Sequence, residues 1–229
     1  YRIAMMPESE VDQRIAPVYT RYLNPATTIL AAAGDIQIHL RARAATQEQA
    51  EHLATELGTQ IEEILGDRIY SRDGATLEEA VGRLLRERGE TVAVAESCTG
   101  GLVAQRLTSV AGSSDYFLGG FLTYTNAMKT ALLGVPETVL AGYTAISEPV
   151  AAAMASGARD RTGATWALSV TGVAGPSGGT EADPVGVVIL GLAGPNGTQA
   201  HRLRFVGDRE RIRMWAAQGA LDMLRRVIA

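Results

Sequence analysis

The chain has 229 residues, room for one large domain or two smaller ones at ~100–200 residues each, and its 46% hydrophobic and 20% charged residues are ordinary for a globular protein. A net charge of −4 argues against a broad nucleic-acid footprint, and a single cysteine rules out an internal disulfide framework. No apolar run approaches the ~18 residues that span a bilayer. No membrane partner is therefore predicted, and a reducing, cytoplasmic setting is the expectation. His39, His52 and His201 are scattered, so no metal site is predicted.

In chain order, the first 70 residues read as a small α/β unit. Asp35 to Ala42 alternates apolar and polar residues, as a half-exposed strand does. Thr46 then opens a helix with Leu53, Leu57, Ile61, Ile64 and Leu65 on one stripe, closed by Gly66. That helix carries five glutamates, and residues 44–67 contain no Lys or Arg, so its surface repels a phosphate backbone. The polar run Ser71-Arg72-Asp73-Gly74-Ala75 marks the domain boundary, giving domains at 1–72 and 73–229.

Beyond it, Thr76 and Glu79 form a capping-box pattern for a helix that stops at Gly89. Strands are expected at 91–95, 119–124, 165–170, 185–192 and 200–205. Helices are expected at about 100–111, 126–133, 147–161 and from Asp208 to the end. Strands alternating with amphipathic helices predict an α/β fold with both sheet faces covered.

Four stretches carry candidate chemistry. In AESCTGG, residues 95–101, an apolar strand runs through Glu96-Ser97-Cys98-Thr99 into Gly100 and Gly101. Strand ends of open α/β sheets face the ligand crevice, and a helix start offers free N–H groups. Ser97 there suits a nucleophile whose oxyanion is met by those N–H groups. The same residues also suit a tight turn with Ser97 or Thr99 as a helix cap. Cys98 is the rival nucleophile, intrinsically stronger, with a pKa that a helix N-terminus lowers. In TYTNAMK, residues 123–129, Asn126 is read as the helix cap. Lys129 then falls in the first turn, where the helix dipole favours the neutral amine that a general base needs. Tyr124 points to the same edge; a solvated lysine and a boundary tyrosine fit the pattern as well. In TGVAGPSGGTEADPVG, residues 171–186, five glycines and two prolines join two strands, which suits a ligand-wrapping loop or a flexible hairpin. In GDRERIR, residues 207–213, Arg209 and Arg213 share a helix face that suits an anion or simple solvation. Together these stretches point to an enzyme acting on a small phosphorylated molecule at an acyl or amide carbon.

AESCTGG, then GGFLTYTNAMKTALLGV, ISEPVAAAMASGA and TGVAGPSGGTEADPVG occur in that order from about Thr76 to the C-terminus, and this part of the chain resembles the C-terminal domain of the CinA family. The residues before it resemble the small KH-like domain that precedes it there. The resemblance implies a three-layer α/β/α deamidase domain after a small α+β domain. It also implies a nicotinamide-nucleotide amidase, a linear-amide C–N hydrolase that converts nicotinamide mononucleotide to nicotinic acid mononucleotide and ammonia in pyridine-nucleotide salvage. By resemblance Ser97 is the nucleophile and Lys129 its base, with Tyr124 and Thr171 as partners. Substrate binding falls to Glu96, Thr99, Gly100, Gly101, Asn126, Gly172, Gly175, Arg209 and Arg213. No cofactor is implied, and a homodimer is. In full-length members a domain resembling molybdopterin-binding proteins, with ADP-ribose pyrophosphatase activity, comes first; the start at Tyr1 fits a chain that lacks it. Two departures stand out. YTAISE at 143–148 replaces GAVSE, and the first domain lacks the GxxG loop with which KH domains clamp nucleotides, so nucleic-acid binding is not expected.

Overall fold

The computed structural model describes residues 1–32 and 34–229, which divide into two compact units, Tyr1–Leu77 and Glu78–Ala229. The family resemblance placed a KH-like α+β unit first and an α/β unit second, and both sheets are mixed with helices as that class requires.

In the first unit, β1 (Arg2–Ala4), β2 (Ala26–Ala32), β3 (Asp35–Arg41) and β4 (Ile69–Ser71) form an antiparallel sheet in the order β2-β3-β1-β4. α1 (Glu8–Tyr19) and α2 (Gln47–Leu65) pack on it. The α2 stripe behaves as its periodicity dictates: Leu57, Ile61 and Leu65 are buried against Ile3, Val11, Ile15, Ile36 and Ile38. Thr46 caps this helix by accepting from the Gln49 N–H. Asp35 is buried at the sheet centre, where it accepts from the Tyr70 hydroxyl at 2.6 Å and pairs with Arg2, so one carboxylate ties β3 to β1 and β4.

The second unit opens with α3 (Leu77–Arg88) and holds a five-stranded sheet. Its strands are β5 (Val92–Glu96), β6 (Phe117–Leu122), β7 (Trp166–Gly172), β8 (Val187–Gly194) and β9 (Gly197–Arg204), in the order β6-β5-β7-β8-β9. β6, β5 and β7 run parallel; β8 and β9 are antiparallel additions. α4 (Leu102–Thr108) and α8 (Arg209–Ile228) contribute to one face, and α5 (Asn126–Leu133), α6 (Glu137–Tyr143) and α7 (Glu148–Thr162) to the other. The α7 face is a core of small and branched side chains, among them Ala93, Ala95, Val150, Met154 and Ala158. A small residue lets α7 approach α5 closely: a Cβ on Gly157 would stand 2.0 Å from the Leu133 carbonyl oxygen.

Chain order and sheet order together place the crevice. After β5 the chain moves outward to β6, and then returns to the other side of β5 as β7. The strand order therefore reverses between β5 and β7, and ligands of open α/β sheets bind beyond the carboxyl ends of the strands at such a reversal.

Candidate active site

Three parallel strands end at one rim. β5 runs into Ser97, β6 into Thr123-Tyr124, and β7 into the glycine loop. At this rim lies a cavity of about 250 Å3 lined by Ser97, Tyr124, Lys129, Thr171, Gly175 and Arg209, with Asn126 and Gly172 on its walls.

Lys129 decides the chemistry. Its amine lies 3.4 Å from Ser97 Oγ and donates to the Thr123 carbonyl at 2.9 Å. The side chain is 1% exposed, and among the described residues no carboxylate pairs with it. Burial without a counter-charge disfavours the ammonium and holds the pKa below the ordinary lysine value. The expected cause was the helix dipole, with Asn126 as the cap. Instead Thr125 is the cap, accepting from the Met128 N–H at 3.3 Å, and Asn126 is the first helical residue. Lys129 then sits at the end of the first turn with its N–H already bonded to the Thr125 carbonyl, so desolvation is the leading cause.

Cys98 also lines the cavity, but burial pushes its thiol up to about 12. Such a thiol stays protonated at neutral pH, and the thiolate is the nucleophilic form. Ser97, beside an amine whose pKa is lowered by burial, is the better placed of the two to be activated.

The start of α4 is organised differently from the sequence expectation. The buried Glu96 carboxylate accepts from three backbone N–H groups: Gly101 at 3.0 Å, Val103 at 3.2 Å and Ala104 at 2.8 Å. An internal anion thus occupies the helix N-terminus, and those donors are not open to a substrate oxyanion. Among the described residues, the N–H groups of Cys98 and Thr99 bond to no acceptor on another residue. Gly100 and Gly101 do not line the cavity; their φ values of 62° and 96° demand glycine for the left-handed turn itself. Thr99 is likewise off the cavity wall, with its carbonyl held by Arg213 Nε at 3.2 Å and Nη2 at 2.6 Å.

The two arginines therefore part ways although they are one turn apart. Arg213 clamps the turn after β5 through the Thr99 carbonyl. Arg209 faces the cavity, donating to the Gly175 carbonyl at 2.8 Å and to the Tyr124 hydroxyl at 3.1 Å. Thr171 is buried and donates to the Ala145 carbonyl at 2.8 Å, which fixes the loop before α7 against the cavity. Gly172 and Gly175 are glycines because their neighbours are tight: a Cβ would stand 2.5 Å from the Val187 oxygen and 2.5 Å from Val185 Cγ1, respectively. Sequence reasoning missed Ala145, Ile146 and Ser177 on the wall and the Thr123 carbonyl under the lysine. Ala145, Ile146 and the Thr123 carbonyl act through backbone or apolar surface, which no residue-type pattern announces. Among the described residues, no group of three His, Cys, Asp or Glu side chains could hold a metal, and no helix is long and apolar enough to cross a membrane.

Two family models match the chain: the CinA C-terminal domain over residues 74–228, and the damage-inducible protein CinA KH domain over residues 1–71. The CinA-like protein of Solibacter usitatus is 56% identical over 227 residues, covering 99% of this chain and 55% of that protein. The CinA-like protein of Koribacter versatilis is 49% identical over 225 residues, covering 98% of this chain and 54% of that protein. The chain thus spans about half the length of the curated relatives it matches. Among solved structures, competence/damage inducible protein CihA from Agrobacterium tumefaciens is 41% identical with a TM-score of 0.62, over 66% of this chain and 94% of that one.

Proposed function

The chain belongs to the CinA family, and from that premise we propose that its second unit hydrolyses the carboxamide of nicotinamide mononucleotide, giving nicotinic acid mononucleotide and ammonia. The observation that carries this reading is the buried Lys129 amine 3.4 Å from Ser97 Oγ. A neutral lysine next to a serine hydroxyl is a nucleophile–base pair that needs no histidine.

The steps balance as follows. Lys129 takes the Ser97 proton as Oγ attacks the amide carbon. The oxyanion that forms is met by the N–H groups of the Cys98-Thr99 turn. The C–N bond breaks, and the Lys129 ammonium gives its proton to the departing nitrogen, which leaves as ammonia. Water then attacks the acyl-serine with Lys129 again as base, the proton returns to Ser97, and the free carboxylate leaves. Arg209, at the cavity wall, binds the phosphate of the mononucleotide. Tyr124 braces that guanidinium through its hydroxyl. The first unit has a structural role in this reading, with no nucleic-acid partner.

The test is ammonia release from nicotinamide mononucleotide by the intact chain and by Ser97→Ala in parallel. Release by the first alone supports the reading. No release from folded protein that binds the mononucleotide would mean that the site senses a nucleotide or cleaves a different amide.

A further inference from the structure

The glycine loop after β7 is held by two arginines from different elements. At its base it continues the ladder: the Val173 N–H donates to the Val187 carbonyl and the Gly186 N–H to the Val173 carbonyl, both at 2.8 Å. Arg209 then takes the Gly175 carbonyl. The tip beyond it, residues 176–183, has little with which to hold itself. Gly178 lies in open space, where a Cβ would meet no atom within 4 Å. The tip's own hydrogen bonds close one small turn, Thr180 N–H to the Asp183 carbonyl and Asp183 N–H to Thr180 Oγ1, both at 3.0 Å. Among the described residues, the hydrogen bonds that tie this tip to the rest of the unit come from one side chain, Arg202 on β9. Its Nη2 donates to the Ala182 carbonyl at 2.7 Å and to Asp183 Oδ1 at 2.8 Å. Residues 172–186 carry Glu181 and Asp183 and no Lys or Arg, so the charge that answers Asp183 has to come from outside the loop. The Asp183 side chain is only 14% exposed, which sets this pair apart from a fully solvated surface bridge.

We propose that Arg202 is a positioning residue of the site: it holds the tip of the glycine loop on the cavity wall and so sets how tightly the site takes its ligand. That ligand is the mononucleotide of the amidase reading, on which this role rests. Ser177 and Gly178 line the cavity, and they belong to the span between the two arginine anchors at Gly175 and Ala182. With both anchors made, the span is closed at each end before a ligand arrives. Without Arg202 it is next fixed at Pro184, whose carbonyl accepts from the Val187 N–H at 3.1 Å. A ligand that touches Ser177 then has to order the tip as it binds. The loss falls on binding and not on chemistry, because Ser97 and Lys129 are carried by other elements, the turn after β5 and α5. Lysine at 202 would keep the charge without the planar guanidinium that meets carbonyl and carboxylate together.

The test compares the wild type with Arg202→Ala, Arg202→Lys and Arg204→Ala, the last removing an exposed arginine of the same strand. Hydrogen–deuterium exchange without ligand reads the tip, and ammonia release from nicotinamide mononucleotide gives KM and kcat. Arg202→Ala exchanges faster across residues 176–183, and its KM rises about tenfold at unchanged kcat, the pattern of lost uniform binding. Arg202→Lys, which serves if the alanine variant misfolds, falls between it and the wild type, and Arg204→Ala matches the wild type. Unchanged exchange at the tip of Arg202→Ala overturns the proposal whether or not the amidase reading holds. Faster exchange with an unmoved KM also overturns it, as does a kcat loss as large as the KM gain, or an Arg204→Ala variant that behaves as Arg202→Ala does. A wild type that releases no ammonia while Arg202→Ala loosens the tip overturns the amidase reading and upholds the grip of Arg202 on the loop, since exchange needs no substrate.

Discussion

Two loops leave neighbouring parallel strands at the same rim, and they are built on opposite principles. The turn after β5 is closed on itself: Glu96 fills the start of α4, Arg213 holds the Thr99 carbonyl, and the Gly100 N–H returns to the Ser97 carbonyl at 3.1 Å. The loop after β7 is turned outward. Gly172, Gly175, Ser177 and Gly178 face the cavity, and the Gly175 carbonyl receives Arg209. In the proposed reaction the closed turn carries the nucleophile and the open loop carries the substrate. A nucleophile gains from being held in one geometry, because misplacement by a fraction of an ångström is lost rate. A binding loop gains from presenting groups to the ligand.

The base shared by both sides gives the largest expected effect. Lys129→Met should lower kcat by roughly 10²–10⁴-fold, the usual contribution of a general base. The same variant should be more heat-stable at neutral pH, since it removes an amine buried without a counter-charge. The sign follows from linkage: the folded lysine releases its proton at lower pH than the unfolded one. Between the two pKa values the unfolded chain binds more protons, and this lysine's contribution to stability rises with pH. Activity should rise with pH through that depressed value and then level off, and a rate profile flat from mildly acidic to alkaline pH would remove Lys129 as the base.

The next effect separates the two loops. Arg209→Ala, on the open side, should raise KM roughly 10–100-fold, as expected for losing ~1.5–3 kcal/mol of charged hydrogen bonding, with kcat less affected. Glu96→Gln, on the closed side, should do the reverse. Gln keeps one acceptor and turns an NH2 toward a backbone donor, so folding weakens by about 1–3 kcal/mol. Thermal unfolding reads that loss, and kcat falls with little change in KM. If both variants moved the same kinetic parameter, the division between closed turn and open loop would be wrong. The smallest effect belongs to Cys98→Ala: ammonia release should stay close to wild type, because a thiol held at about 12 is not the nucleophile.

How much of this was readable varies by region for physical reasons. α5 was expected at residues 126–133 and lies at Asn126–Leu133, because an apolar run between a polar cap and Gly134 is a strong local signal. Its cap was misplaced by one residue, since Thr125 and Asn126 both suit the position and only the backbone decides. β1, β2, β4 and α1 went unread. β2 alternates weakly between half-buried and exposed positions, α1 contains Pro17, and β1 and β4 span three residues each, too short for periodicity to show. α6 was also missed, a seven-residue helix with no buried side chain. Within the site, residue types that announce chemistry were legible: Ser97, Lys129, Tyr124 and Arg209 meet at one cavity. Glu96 was assigned to the substrate by resemblance, and Arg213 because a guanidinium at a helix start suits an anion. Their partners are backbone groups, which a sequence does not display.

One consequence of the lysine's setting concerns water. The amine's pKa is lowered by burial rather than by a neighbouring charge, so its readiness to take a proton depends on what covers it. A substitution that admits solvent beside Thr123, with every side chain of the proposed reaction intact, should raise that pKa and slow the attack by Ser97.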